Sequence, residues 1–352
     1  MAHRVVHCGT GNVGRYALLA ILEHPDLDLV GQFVSSPAKV GRDSGELAGV
    51  APVGVITTGD WGDLLDLGAD CLVYFGDSIG REREAINDLL PFLERGTNVV
   101  TFSGFAIAHP ATAPPELRKL IEEACGRGHS SCYFTGIDPG WATTDLAITA
   151  LAAANRVDCI RVAELGSFGD YSAEFVMREY FGFGKEPGFQ PLLVTAGVVE
   201  QMWAPTLHQL ADVLGAAIDE FDLTYETDCL DHDIETGFGT VAAGTASVVR
   251  FEFRGLRDGR PIAIVEHVDS VTREKTGKPW KRPYGPYDLA YRIEIEGDPR
   301  FSLELGIGSN GSTLSAMPAI NAVSAVCAAR PGLLGPIDLP RYWCRNVSRA
   351  AI

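Results

Sequence analysis

Arg4-Val5-Val6-His7-Cys8-Gly9-Thr10-Gly11-Asn12-Val13-Gly14 begins as a short apolar run and ends on three glycines spaced G-x-G-x-x-G. Residues 13–24 then read as a helix with Leu18, Leu19, Ile21 and Leu22 facing inward. Strand, glycine turn and helix in that order form a phosphate-binding unit. Gly9 is expected to permit the tight turn, Gly11 to let backbone approach a pyrophosphate, and Gly14 to let helix and strand pack closely. The helix N-terminus offers N–H groups and partial positive charge to the phosphates. Gly9, Thr10, Gly11, Asn12, Val13 and Gly14 are therefore the first candidate cofactor-binding residues, for a dinucleotide.

The second strand, residues 27–34, leads to the position that separates NAD from NADP, about 20 residues beyond the glycines. An acid there would hold the ribose 2′-hydroxyl and repel a 2′-phosphate. The chain has Ser35, Ser36, Lys39 and Arg42, with no acidic residue before Asp43. Two hydroxyls and two cations suit the phosphate, so NADP is favoured and NAD stays open. Apolar runs at 71–75 and 98–102, a helix at 81–95 between them, a helix at 115–126 and a strand at 131–135 continue the βαβ pattern of a parallel sheet. Ligands lie beyond the carboxyl ends of such strands, so Gly76, Asp77 and Thr101 are expected to wall the nicotinamide end.

After Gly140 the pattern changes. An apolar helix at 142–154 precedes alternating stretches at 158–167, 246–255, 261–270, 289–296 and 301–306, which suit an antiparallel sheet with one wet face. Arg257-Asp258-Gly259 reads as a hairpin turn. Helices are expected at 192–203, 204–221 and 317–329, followed by a Pro/Gly-rich tail. The fold class is α/β: an N-terminal Rossmann parallel sheet plus an α+β domain with an open, mainly antiparallel sheet. The expected domains are an NADP-binding Rossmann domain (1–140), a substrate and dimerisation domain (141–310), and a C-terminal helix and tail returning to the Rossmann domain (311–352).

Composition narrows the partners. The net charge of −17 argues against nucleic acid and anionic membranes. Nothing approaches the roughly 18 continuous apolar residues of a membrane span, and residues 1–8 hold no signal-peptide core. Eight scattered cysteines without a CxxC pair read as reduced, mostly buried thiols of a cytoplasmic protein. The glycosylation triplets at Asn310 and Asn346 carry no weight without secretion.

Hydride transfer needs a group that handles a proton. Candidates are His109 after what is expected to be the fifth strand, Asp138 between Gly136 and Pro139, and Tyr171 at the start of an aromatic-rich segment. Phe105 and Phe168 are candidate substrate-facing aromatics, and His267 could point into the site from a strand while its neighbour Glu266 faces solvent. Asp138 could equally cap a helix starting near Thr143. No metal site is expected: His208 and the group Asp228, Asp231, His232, Asp233 and Glu235 match no common ligand spacing and read as a solvated acidic loop. Arg273, Lys275, Lys278, Lys281 and Arg282 read as a mobile loop.

Several segments resemble the 2,4-diaminopentanoate dehydrogenase and native amine dehydrogenase family, whose N-terminal domain is related to dihydrodipicolinate reductase. They are Val34-Ser35-Ser36-Pro37-Ala38-Lys39-Val40-Gly41-Arg42-Asp43-Ser44-Gly45-Glu46-Leu47, Gly136-Ile137-Asp138-Pro139-Gly140-Trp141, Ala319-Ile320-Asn321-Ala322-Val323, and Ala328-Ala329-Arg330-Pro331-Gly332-Leu333 with Asp338-Leu339-Pro340. The resemblance implies an NADP-linked homodimer that aminates a ketone reductively or oxidises an amine. It places Trp141 in the substrate pocket, Asn321 near the nicotinamide carboxamide and Tyr171 facing the substrate. Amine-active members typically carry a glutamate where this chain has Gly104 and Phe105. Two other readings therefore stand beside amine chemistry: a carbonyl or alcohol oxidoreductase, and an NADP-binding sensor without turnover. The small-molecule partner is a carbonyl compound or an amine.

Overall fold

A computed structural model describes residues 2–78, 80–195, 197–308 and 311–346. The chain divides into two compact units, one made of the residues up to Trp141 with those from Ser312 onward, the other of Ala142–Gly311. Of the two glycosylation triplets, Asn310, Val347 and Ser348 lie outside the described residues.

The first unit alternates β1 (His3–Cys8), α1 (Gly14–Glu23), β2 (Leu27–Phe33), α2 (Ser44–Ala48), α3 (Gly62–Leu65), β3 (Cys71–Tyr74), α4 (Glu82–Glu94), β4 (Asn98–Thr101), α5 (Pro115–Gly128) and β5 (Ser131–Phe134). The second unit follows with α6 (Asp145–Leu151), β6 (Arg156–Ser167), α7 (Val198–Val213), β7 (Glu220–Cys229), β8 (Ile234–Thr236), β9 (Gly239–Val241), β10 (Ala246–Arg257), β11 (Arg260–Ser270), β12 (Leu289–Asp298) and β13 (Phe301–Ile307). The chain then returns to the first unit as α8 (Gly311–Cys327) and β14 (Gly332–Leu334).

The first sheet has the order β14-β5-β4-β3-β1-β2 and is parallel throughout. Its strands are short, apolar and buried on both faces, as a parallel sheet sandwiched between helices requires. One face packs on α4 and α5 through Ile86, Leu89, Leu93, Leu117 and Ile121. The other packs on α1 and α8 through Leu18, Ile21, Ala319, Ile320, Val323 and Val326. Each fully buried Ile, Leu or Val contributes about 1.5–3 kcal/mol. The topological switch lies at β1, flanked by β2 and β3, so the loops after β1, β2, β3 and β4 converge at one edge. β14 falls in the tail that reads as Pro/Gly-rich coil: three residues between Pro331 and Gly335 give too little pattern to mark a strand.

The second sheet has the order β13-β12-β6-β11-β10-β7, antiparallel except where β11 runs parallel to β6. The β10–β11 hairpin turns on Asp258 and Gly259, both at positive φ (52° and 70°), the geometry a two-residue type I′ turn demands. One face is covered by α6 and α7. Two sequence expectations fail here. A single helix, α7, runs through Pro205, with Leu192–Val194 only a 3-10 turn before it. Residues from Glu220 form β7, in which Phe221, Leu223 and Tyr225 alternate with Asp222, Thr224 and Glu226.

The other face is not simply wet. Arg161 joins Glu252 at 2.6 Å and Glu266 at 2.9 Å, Arg250 and Arg254 also hold Glu252, and Arg292 pairs with Glu304 at 2.6 Å. The 271–288 connection, which reads as a mobile loop, is strapped across this face. Lys281 Nζ lies 2.7 Å from both Glu266 and Glu294, Arg273 pairs with Asp288, and Trp280 packs on Ala163, Leu165, Val248 and Val268. The strap's cations answer a carboxylate, Glu266, that is 1% exposed in its side chain. An unpaired charge so buried would be costly.

Candidate active site

In the first unit the glycine loop explains itself position by position. A Cβ on Gly9, at φ +100°, would lie 2.4 Å from the Phe75 carbonyl oxygen, and one on Gly14 would lie 2.7 Å from the Gly9 carbonyl oxygen. Both are packing constraints within the chain. A Cβ on Gly11 would meet no protein atom within 4 Å. The chain's own packing leaves that position open, as expected where a ligand's diphosphate approaches. Among the described residues α1 has no side-chain cap and no acid in its first turn, so its N-terminal field is unopposed by a local carboxylate. These residues fit a dinucleotide.

After β2, Lys39 Nζ donates to Thr10 Oγ1 at 2.9 Å and to the Thr10 carbonyl at 3.2 Å, bringing a cation to the rim of the glycine loop. Arg42 is exposed and pairs with Glu46 at 3.6 Å. Ser35 is exposed and Ser36 half-buried before the Pro37–Lys39 turn. Asp43, the nearest acid, is committed elsewhere: its carboxylate accepts from the backbone N–H groups of Val53, Gly54 and Gly45 at 2.7–2.9 Å. Those bonds hold its carboxyl below the usual range.

Beyond β3, the Ser103 hydroxyl donates to the Gly76 carbonyl, and the Asp77 carbonyl accepts from Arg81 at 2.5 Å. Thr101 is buried and its hydroxyl bonds Ser103 on both sides, donating to the carbonyl at 2.8 Å and accepting from the N–H at 2.9 Å. Its side chain thus shapes the loop. His109 is buried with Nδ1 2.8 Å from Thr112 Oγ1, a bond within its own turn. Phe105 packs edge-on against Phe134 at 5.8 Å as part of the core margin. Gly104 sits at φ +94°, and a Cβ added there would stand only 3.2 Å from Ile86 Cδ1, so a side chain at this position would be strained. Asp138 is half-buried, in the Gly136–Trp141 turn closed by the Trp141 N–H on the Gly136 carbonyl at 2.8 Å. It does not cap the next helix: α6 starts at Asp145 with Thr144 as its N-cap. Trp141 is half-buried, and Asn321 lies half-buried on α8 between the core residues Ile320 and Ala322.

In the second unit, strand register lines up a polar row. Tyr291 of β12 faces Glu164 of β6, which faces His267 of β11, which faces Phe251 of β10. The Tyr291 hydroxyl donates to Glu164 Oε2 at 2.6 Å. His267 Nδ1 lies 3.7 Å from Glu164 Oε1 and 3.5 Å from Asp269 Oδ2. The imidazole stacks on Phe251 (centroids 4.5 Å) and meets the Trp203 ring edge-on at 5.0 Å. The alternation predicts Glu266 facing solvent while His267 faces inward. Both are buried, because the opposite face is covered by the cationic strap. The aromatic segment divides its labour. Phe183 is fully buried with Met177 and Phe238, Phe168 packs beside Tyr171 at 6.2 Å, and Tyr171 is 39% exposed. Burial of the Tyr171 phenol pushes its pKa up, so it stays protonated at neutral pH.

The acidic loop is tied as well: Asp228 accepts from Trp280 Nε1 at 3.1 Å, and His232 lies between Asp231 and Glu274 at 3.0 and 3.1 Å. His208 meets Phe221 edge-on at 5.4 Å. The cysteines are all unbridged. Four are buried, Cys159 and Cys327 are half-buried, and Cys229 and Cys344 are exposed.

The profile described as the 2,4-diaminopentanoate dehydrogenase C-terminal domain matches residues 143–349, and that of the dihydrodipicolinate reductase N-terminus matches 3–92. An amine dehydrogenase of Streptomyces virginiae is 30% identical over 341 residues, covering 94% of both chains. The chain belongs to the amine dehydrogenase family. As a member of that family it is an NAD(P)-linked oxidoreductase of the amine dehydrogenase kind. An amine dehydrogenase structure from Mycobacterium smegmatis shares the fold with a TM-score of 0.79 at 22% identity, covering 98% of each chain. A dihydrodipicolinate reductase from a Paenisporosarcina species shares it more distantly, with a TM-score of 0.50 at 14% identity over 92% of this chain and 95% of the other. Among the described residues of this family member, no helix is long and apolar enough to cross a membrane.

Sequence reasoning does not single out Glu164, Asp269, Tyr291 or Trp203. One signal is present: residues 160, 162 and 164 alternate as Ile, Val and Glu, placing a carboxylate on the same face as two core residues.

Proposed function

We propose that this chain is an NADP-dependent amine dehydrogenase that converts a small, apolar ketone and ammonia to a primary amine, or runs the reverse oxidation. The observation that carries the coenzyme choice is Lys39 bonded to Thr10 at the glycine loop, with Asp43 bound to its own backbone instead of free for a ribose hydroxyl. The bound coenzyme supplies the hydride. Gly9–Gly14 would hold the diphosphate, Ser35, Ser36, Lys39 and Arg42 the 2′-phosphate, and Gly76, Asp77, Thr101 and Asn321 would border the nicotinamide. Trp141, Phe105, Phe168, Tyr171 and His267 are proposed on the substrate side, with Tyr171, His109 and Asp138 as proton donors to test by substitution. A reducing, cytoplasmic compartment is part of the same proposal, supported by eight unbridged thiols, and so is the homodimer that the family resemblance implies.

The glycine at position 104, whose positive φ disfavours any side chain, favours a second reading, carbonyl or alcohol oxidation and reduction, because no carboxylate projects from that position. NADPH oxidation followed over ketones and aldehydes, with and without ammonium, separates the two. Turnover that requires ammonium supports amine chemistry, and turnover indifferent to it supports the second reading. Coenzyme binding without turnover would overturn both.

A further inference from the structure

We propose that Thr57 is a positioning residue for coenzyme choice, its hydroxyl setting the Lys39–Arg42 turn in place before the coenzyme arrives. The proposal rests on the NADP reading above and names the group that holds the two cations where a 2′-phosphate would meet them.

Both cations lie at the ends of long side chains, and each loses rotamer freedom on closing around a phosphate. The Arg42 head is little restrained by Glu46, since that pair is 3.6 Å apart and about half exposed on both sides. Its placement therefore falls to the backbone. The Gly41 N–H donates to the Thr57 carbonyl at 2.9 Å, and the Thr57 N–H donates to the Arg42 carbonyl at 2.9 Å. Between these main-chain bonds the Thr57 hydroxyl donates its one proton to the Lys39 carbonyl at 2.5 Å and accepts from the Arg42 N–H at 3.2 Å. One side chain thus bonds the backbone of both cationic residues. It is 2% exposed, between Ile56 at 58% and a half-buried Thr58, so water does not compete for these bonds.

The segment that carries Thr57 is itself anchored. The Thr58 N–H donates to the Gln32 carbonyl at 3.0 Å and the Val34 N–H to the Thr58 carbonyl at 2.9 Å, tying it to the end of β2. On its other side the Val55 carbonyl accepts from the Ser44 N–H at 2.8 Å, and the Asp43 carboxylate accepts from the Val53 and Gly54 N–H groups. β2 pairs with β1, whose end leads into the glycine loop. The turn is thereby fixed relative to that loop. Lys39 is held twice, by its carbonyl on Thr57 and by its ammonium on Thr10. NADH has no 2′-phosphate and makes no use of either cation, so loosening the turn should weaken NADPH alone.

The test uses the full-length protein and direct binding. Thr57→Val keeps the shape and the main-chain bonds and removes only the hydroxyl. It is expected to raise the Kd for NADPH by about 10-fold and to leave that for NADH within about twofold of the parent. Calorimetric binding of adenosine 2′,5′-bisphosphate should weaken by about 10-fold, while binding of adenosine 5′-monophosphate stays unchanged. Thr57→Ser, which retains the hydroxyl, should keep the parent's preference. Equal losses with both coenzymes, or a Ser variant that behaves like Val, would overturn the proposal, because either points to a role in packing alone. If Thr57→Val does not fold, hydrogen exchange of the coenzyme-free parent decides. The Gly41 and Arg42 amides should exchange about 100-fold or more slowly than in an unstructured peptide. Exchange at the unstructured rate until coenzyme is added would overturn a turn set in advance. A parent that binds NADH as tightly as NADPH removes the NADP reading and this proposal together. A preference for NADPH that survives Thr57→Val removes this proposal alone.

Discussion

Lys39 holds its ammonium on Thr10 in a half-buried position, so its loss removes a charge-assisted contact at the coenzyme rim. Lys39→Ala is expected to lower kcat/KM for NADPH by about 10- to 100-fold and to affect NADH far less. Equal losses with both coenzymes would contradict a 2′-phosphate role. The glycines make a paired prediction. Gly14→Ala forces a methyl against the Gly9 carbonyl and should cost about 1–3 kcal/mol, seen as a lower Tm without ligand. Gly11→Ala should leave the Tm unchanged and weaken coenzyme binding, measured by titration of NADPH fluorescence. At this scale the glycine loop is legible because its constraint is local, each glycine acting within a few residues. Glu164 and Tyr291 are not, because what joins them is register between strands 127 residues apart in sequence.

Strands and helices tell the same story at larger size. The five strands of the first sheet that precede Gly140 are readable as apolar runs between glycine-rich loops, each within a residue of its observed bounds. β7 is lost to a helical reading because Ala216, Ile218 and Phe221 continue the apolar spacing of α7, and only pairing with β10 settles the segment. The ionic face is illegible for a related reason: Arg161, Glu252 and Glu266 come from three strands whose order in the sheet is not their order in the chain. Arg161→Met would take one cation from Glu252 and Glu266, which keep Arg250, Arg254 and Lys281, at a cost of about 1.5–3 kcal/mol in denaturant unfolding. Burial alone would raise the Glu252 carboxyl, but Arg161, Arg254 and Arg250 hold it down to about 2. The stabilisation it lends is therefore complete above its unfolded value of 4.5 and is lost as pH falls toward 2.

For the whole molecule, acid sensitivity should begin earlier than the carboxylates alone would set it. His7 on β1 is fully buried beside Gln32, and burial lowers its pKa from 6.5 to about 4. The unfolded chain takes up that proton first, so folding stability is undiminished above pH 6.5 and declines between 6.5 and 4. His7→Gln should flatten the fall in Tm between pH 7 and pH 5. An unchanged slope would assign the loss to other groups.

The helix α8 and strand β14 complete the first sheet from the far end of the chain, bringing Ala319, Ile320, Val323 and Leu334 to the core that contains Leu18 and Ile21. A ribosome must therefore translate the entire intervening unit before the nucleotide-binding half can acquire its last layer. Until then β5 offers an unsatisfied edge and α1 lies beside bare apolar surface, a state that chaperones and proteases recognise. Stop codons placed just before α8 should accordingly yield aggregated or degraded protein, even though every residue of the glycine loop has already been made.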